Sequence, residues 1–388
     1  MQLAAAMGRL GTESAFEVLA RAVRLQAQGQ DIVNLGIGQP DFPTPPHIVE
    51  AAVKALRDGE HGYTPANGIL PLREAVAEDM AARRGFAVSP ERIVIVPGGK
   101  VTMFMAIAML GEPGTEILYP DPGFPIYRSL IEWTGAKAVP VALHERLGFA
   151  FSAEAVLEQI GPRTRLLILN SPANPTGGVV PKAELDRLAA GLARFPDLAV
   201  LSDEIYARMC YDGVPHASMT AYPELADRLI LLDGWSKTYA MTGWRLGWGV
   251  WPETLVEAAT RLAINSFSCV NAATQWAGIA ALRGPQDSVA AMVTTFDHRR
   301  KLIVDALNRI PGLRCGMPGG AFYAFPNIEG TGRTARALQD ELLAEAGVAT
   351  IAGTSFGVHG EGFLRFSYAA SDAAIEEACA RIERHLAR

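Results

Sequence analysis

Five short runs of this chain are apolar at nearly every position: Arg92–Val96 (RIVIV), Glu116–Tyr119 (EILY), Arg165–Leu169 (RLLIL), Leu198–Ser202 (LAVLS) and Leu229–Asp233 (LILLD). A strand with one wet face alternates polar and apolar residues, whereas a strand covered on both faces does not. The runs therefore predict strands of a mainly parallel sheet. Between them lie stretches with apolar residues at helical spacing, such as Ala183–Arg194. This alternation predicts α/β layers. The ends of the chain read differently. Ser14–Gly29 predicts one amphipathic helix. Beyond about Pro285 a long helical pattern is followed by GGAFYAFPN (Gly319–Asn327), a helix near Ala335–Ala346 and FLRFSYA (Phe363–Ala369). That order predicts a smaller α+β domain, joined by the N-terminal segment. The expected division is a large domain over 47–284 and a small one made from 1–46 and 285–388.

Composition narrows the functional classes. A chain of 388 residues, 49% hydrophobic and 20% charged, can bury a large core. Its net charge of -6 argues against nucleic acid or an anionic membrane as the main partner. Cys210, Cys269, Cys315 and Cys379 are scattered, which suits small buried hydrophobes better than disulfides or a zinc ribbon. Arg9, Glu13 and Glu17 interrupt the first apolar stretch, which argues against a signal peptide. No apolar run approaches the ~20 residues of a membrane span. A soluble cytoplasmic protein is expected. The seven histidines show no metal-binding spacing, so no metal is expected.

In open parallel sheets ligands bind beyond the carboxyl ends of the strands. The distinctive polar residues fall there. PGGK (Pro97–Lys100) follows the first run and precedes a helical pattern; its glycines suit a phosphate-gripping turn or a plain tight turn. Phe124, after the second run, can stack on a flat ring or join the core. NSPANPTGG (Asn170–Gly178) is a rigid loop in which Asn174 can donate an amide hydrogen bond or serve the turn. DEIY (Asp203–Tyr206) puts a carboxylate at a buried strand end, to face a protonated ring nitrogen or to cap a helix, with Tyr206 close by. Lys237 then lies among Trp235, Tyr239, Met241 and Trp244, with Arg245 downstream. A desolvated amine is a candidate nucleophile, and a nearby arginine suits a phosphate. Together these residues describe a flat, anionic nitrogen heterocycle carrying an aldehyde, which is pyridoxal phosphate. GIGQPD, after Leu35, lacks the third glycine of a dinucleotide fingerprint and precedes FPTPP rather than a helix.

From NLGIGQPDFPTP to RFSYA the chain closely resembles the class I/II aminotransferases, the fold-type I pyridoxal-phosphate enzymes. The resemblance implies a large domain with a mostly parallel central sheet between helices, a small α+β domain, and a homodimer with shared active sites. In SKTYAMTGWR it makes Lys237 the Schiff-base lysine and proton shuttle, with Ser236 and Arg245 as phosphate ligands beside the N–H groups of Gly99 and Lys100. It makes Asp203 the partner of the ring nitrogen, Tyr206 and Asn174 donors to the ring oxygen, and Phe124 the stacking residue. Tyr63, in HGYTPANG, resembles the tyrosine that reaches the neighbouring subunit's phosphate. Arg365 resembles the arginine that clamps the substrate α-carboxylate, and Gly38 falls in the loop that covers the substrate, where Asn174 also contributes.

The implied activity is transamination from an L-amino acid to a 2-oxo acid by a ping-pong mechanism, with those acids as substrates and neither nucleic acid nor membrane as a partner. Alternatives on the same fold are a carbon–sulfur β-lyase, an amino-acid oxidase or a non-catalytic regulator. Lys100 fits the lysine with which some aspartate-specific relatives hold a distal carboxylate, but Ala15 stands where they carry a threonine. The donor side chain is left open by these residues.

Overall fold

The computed structural model describes Met1–Arg388, apart from the side chain of Ser14. The chain enters through a helix, Ser14–Ala27, and a two-residue strand β1 (Val33–Asn34). It then builds a seven-stranded sheet from β2 (Ile93–Val96), β3 (Glu116–Asp121), β4 (Lys137–Ala142), β5 (Thr164–Asn170), β6 (Ala199–Asp203), β7 (Leu229–Gly234) and β8 (Gly247–Val250). The spatial order is β2-β8-β7-β6-β5-β3-β4. Only β8 runs antiparallel to its two neighbours, β2 and β7. The five apolar runs are therefore strands, and every residue of β2, β3, β6 and β7 is buried, as continuous apolar runs require.

Two strands left no such run. β4, KAVPVA, is an edge strand, which is where a proline is tolerated. β8, GWGV, interrupts its apolar pattern with two glycines. Connections leave β3 towards β4 and β5 towards β6, in opposite directions along the sheet. A crevice opens where neighbouring crossovers diverge in this way, outside the carboxyl ends of the strands.

The C-terminal part contributes β9 (Tyr323–Ala324), β10 (Val348–Ala349), β11 (Ile351–Ala352) and β12 (Leu364–Ser367). β12 lies between β11 and β9, antiparallel to both. β1 pairs in parallel with β10, Val33 opposite Val348, which ties the N-terminal segment to the C-terminal part. The long helix after Pro285 is Asp287–Leu307. One apolar core joins Tyr206 and Met209, which follow β6, to Phe296, Phe322, Tyr323 and Phe366. This packing sets the two ends of the chain against the carboxyl edge of the large sheet. Cys315 and Cys379 are buried as expected, while Cys210 and Cys269 are half-buried and all four are free thiols. Among the described residues, no helix is long and apolar enough to cross a membrane.

Candidate active site

A cavity of about 580 Å3 opens at the carboxyl ends of the strands. It brings together Gly38, Gly99, Lys100, Phe124, Asn174, Asp203, Tyr206, Ser236, Lys237, Arg245 and Arg365, which lie far apart in sequence.

Lys237 sits on a single helical turn, Trp235–Thr238, that directly follows β7. Its Nζ donates to the Gly38 carbonyl at 2.6 Å. Burial brings its pKa down to about 8; the Arg365 guanidinium adds to this, Glu13 opposes it, and Arg245 and Lys100 contribute further. The aromatics that contact it are not its sequence neighbours. The Phe322 and Tyr206 ring centres lie 5.7 and 6.0 Å from Nζ. Trp235 instead donates to the Gly278 carbonyl, and with Tyr239 and Met241 it packs into a core against Ile93, Ile95 and Leu246. Those residues anchor the turn, while residues from other elements desolvate the amine. In cofactor-free protein, half-maximal acylation of Lys237 is therefore expected near pH 8, rising with pH as the neutral amine forms. Peptide mapping by mass spectrometry checks this; reactivity that rises only near the ordinary value of 10.5 would contradict it.

Gly38 has no room for a side chain. A Cβ there would lie 2.2 Å from the Tyr323 hydroxyl. The Ile37–Gln39 segment can therefore pass over Lys237 against Tyr323 only with glycine at this point.

Asp203 ends β6 with its side chain buried. Tyr127 donates its hydroxyl to Oδ2 at 2.6 Å, and the Ile205 N–H donates to Oδ1 at 3.3 Å. The second bond is a local turn contact two residues on, so the side chain steadies its own loop while also lining the cavity. Burial raises its pKa to about 6; Tyr127 and Ile205 hold it down, and Asp233 and Glu204 push it up. It has no cationic partner among the described residues, so its ionised form is best met by a charged donor on the cavity side.

Another part of the cavity wall is electropositive. Helix Lys100–Leu110 begins there, presenting the N–H groups of Gly99 and Lys100 at its open end. Arg245 occupies the left-handed region at φ 55° and folds back, donating to the Thr242 carbonyl at 2.7 Å and the Pro97 carbonyl at 3.3 Å. Gly98, at φ 92°, makes room for it: a Cβ there would fall 2.2 Å from Arg245 Nη2. Ser236 completes this part with a hydroxyl.

Arg365, on β12, is buried between the rings of Tyr323 and Phe356, each 4.8 Å away. Nη1 donates to Asn174 Oδ1 at 3.0 Å, Nη2 donates to the Gly36 carbonyl, and Nε has no hydrogen-bond partner. Burial pulls its pKa down, and no carboxylate pairs with it among the described residues. A buried guanidinium held in this way, with no carboxylate to balance it, is able to take an anion on its fork. The Asn174 backbone is fixed by Asn170 Oδ1 at 3.0 Å, and the Tyr206 and Tyr323 hydroxyls share a hydrogen bond of 2.8 Å. Phe124 stands edge-on to Tyr127 at 5.8 Å.

Tyr63 is 95% exposed and does not line this cavity. His61 is also exposed. Tyr127, Tyr323 and Glu13 line the cavity but carry no motif signal of their own. Tyr127 stands three residues after Phe124, and Tyr323 lies within GGAFYAFPN, so each shared a marked segment without being separable from core aromatics.

These groups fit pyridoxal phosphate: an unpaired buried carboxylate, a partly desolvated amine, and an electropositive turn where Gly98 keeps space clear. Comparison with known proteins agrees in class. Residues 30–382 match the family described as aminotransferase class I and II. An aspartate aminotransferase from Streptomyces avermitilis is 36% identical, over 99% of this chain and 96% of its own. Aromatic-amino-acid aminotransferase 2 from Thermococcus litoralis is 39% identical over 93% of each chain. The crystal structure of an aspartate aminotransferase from Rhizobium meliloti superposes with a TM-score of 0.96 at 34% identity, covering 100% of this chain and 99% of the other.

Proposed function

Because this chain belongs to the class I and II aminotransferases, we propose that its cavity moves an amino group between α-amino acids and 2-oxo acids with Lys237 as the catalytic amine. The observation that carries this reading is the amine of Lys237, lowered to about 8, in one cavity with the unpaired Asp203 carboxylate and the unpaired Arg365 fork. Pyridoxal phosphate, when bound, supplies an electrophilic carbon and an electron-accepting ring. Asp203 would hold a proton at the ring nitrogen, Tyr206 and Asn174 would donate to the ring oxygen, and Phe124 would pack on the ring. Gly99 and Lys100 N–H groups, Ser236 and Arg245 grip the phosphate. Lys237 would anchor the cofactor and, once released from it, would take the substrate Cα proton on Nζ as general base and give it up again as general acid. A depressed pKa keeps a sizeable neutral fraction of the amine near neutral pH, which the proton transfer requires.

Arg365 takes the α-carboxylate on Nη1 and Nη2 from between its two aromatic rings, and Gly38 keeps the covering segment close. The exposed Tyr63 is read as serving the site of a second copy in a homodimer. The amino acids named differ among the relatives, which are called aspartate and aromatic-amino-acid aminotransferases.

Arg365→Ala is expected to raise KM for amino and 2-oxo acids about 100-fold while the cofactor stays bound, because a buried charged clamp is lost. Steady-state kinetics beside the visible spectrum checks this; loss of cofactor would mean that Arg365 serves the phosphate instead. The reading as a whole is tested by mixing cofactor-loaded protein with single amino acids, without acceptor. The expected result is spectral conversion with release of a 2-oxo acid. Pyruvate with ammonia, or peroxide, would indicate the lyase or oxidase chemistry instead.

A further inference from the structure

We infer that the Glu13 carboxylate, by pairing with Lys100 at the cavity wall, selects amino donors with uncharged apolar side chains over donors with a distal carboxylate. This rests on the transaminase reading of the same cavity.

Four cations line the cavity: Lys100, Lys237, Arg245 and Arg365. In the proposed mechanism Arg365 takes the α-carboxylate, Arg245 the phosphate and Lys237 the chemistry. Among the described residues of this chain, that leaves Lys100 to meet a second substrate carboxylate, and it is already engaged. Its Nζ donates to Glu13 Oε2 at 3.0 Å and lies 5.2 Å from the Phe124 ring centre.

Glu13 precedes helix Ser14–Ala27 in the N-cap position but makes no side-chain capping bond. A negative side chain there is stabilised by facing the free helical N–H groups. Here it is turned to Lys100 and the cavity. Its charge is near enough to act on Lys237, Tyr323 and Arg365. A distal carboxylate would therefore meet a neutralised lysine and a like charge together, and like charges brought together oppose binding. Other lining residues suit an apolar side chain: Ala15, Phe16, Ile37 and Met103. Phe16 is 57% exposed, which leaves apolar surface for a donor to cover. Ala15 offers no hydroxyl to a carboxylate.

The test uses cofactor-loaded wild-type protein, Glu13→Gln and the double variant Glu13→Gln/Lys100→Gln. Succinate and 4-methylpentanoate, which carry no amino group to transfer, are titrated calorimetrically, and kcat/KM is measured for aspartate and leucine. Wild-type protein is expected to bind 4-methylpentanoate more tightly than succinate. Glu13→Gln is expected to tighten succinate about tenfold and leave 4-methylpentanoate nearly unchanged. The double variant should lose that gain, since the freed Lys100 provides it. A preference for succinate in wild-type protein, or an unchanged ratio in Glu13→Gln, would overturn the proposal. Failure of every donor to yield a 2-oxo acid would overturn the transaminase reading instead, and the titrations would still decide the role of Glu13.

Discussion

Lys237→Ala is expected to reduce transamination by about 10^4-fold, the upper range for loss of a positioned general base. In the proposed mechanism the variant loses the amine that anchors the cofactor as well as the base that moves the Cα proton. Its visible absorbance should change accordingly, while small primary amines in solution should restore part of the turnover. The fold should survive, because the turn is held by Trp235 in its own core rather than by the lysine. The protein without cofactor gives an independent check. Burying the protonated amine opposes folding fully below pH 8, and this penalty fades between about 8 and the ordinary value of 10.5, so stability rises with pH across that window. The contribution should disappear from the pH profile of Lys237→Ala. Normal turnover in the variant would remove Lys237 from the mechanism.

Asp203→Ala is expected to lower kcat by about 10^2- to 10^4-fold, corresponding to the roughly 3–5 kcal/mol lost when one partner of a buried ion pair is removed. Asp203→Glu should retain part of the rate, since the acid persists. A structural role for Asp203 would show differently. In cofactor-free protein the folded pKa of about 6 exceeds the ordinary 3.8, so the stability linked to its protonated form is complete below 3.8 and lost as pH rises through 6. Asp203→Asn should therefore stabilise cofactor-free protein at pH 7 relative to wild type, with little gain below pH 3.8. Thermal unfolding at the two pH values measures this. Unchanged kcat in Asp203→Ala would rule out a ring-nitrogen partner.

Much of the sheet was legible because its central strands are buried on both faces and must be apolar throughout. β4 and β8 were not: an edge strand tolerates Pro140 and exposed Lys137, and a strand crossing close to its neighbours is built with Gly247 and Gly249. Asp203, Asn174 and Lys237 could be picked out because each ends or closely follows a strand with a residue unsuited to packing, and Arg245 because it adds a second cation shortly downstream of Lys237. Tyr127 could not, since a buried tyrosine beside a phenylalanine reads as core until its hydroxyl is seen 2.6 Å from Asp203.

Local chemistry along the chain determined the layered α/β architecture and marked the side chains that cannot be ordinary core residues. Tertiary structure alone decided which of them share a cavity and what surrounds each. Lys237 shows the difference. Its neighbours in sequence suggested desolvation, yet Phe322, Tyr206 and Arg365 flank the amine and Trp235 faces elsewhere. Glu13 shows it again, because an acid in an N-terminal segment looks solvated until the fold brings it to Lys100. Periodicity records how each segment buries its own surface, whereas electrostatic surroundings depend on distances that only packing between remote segments creates.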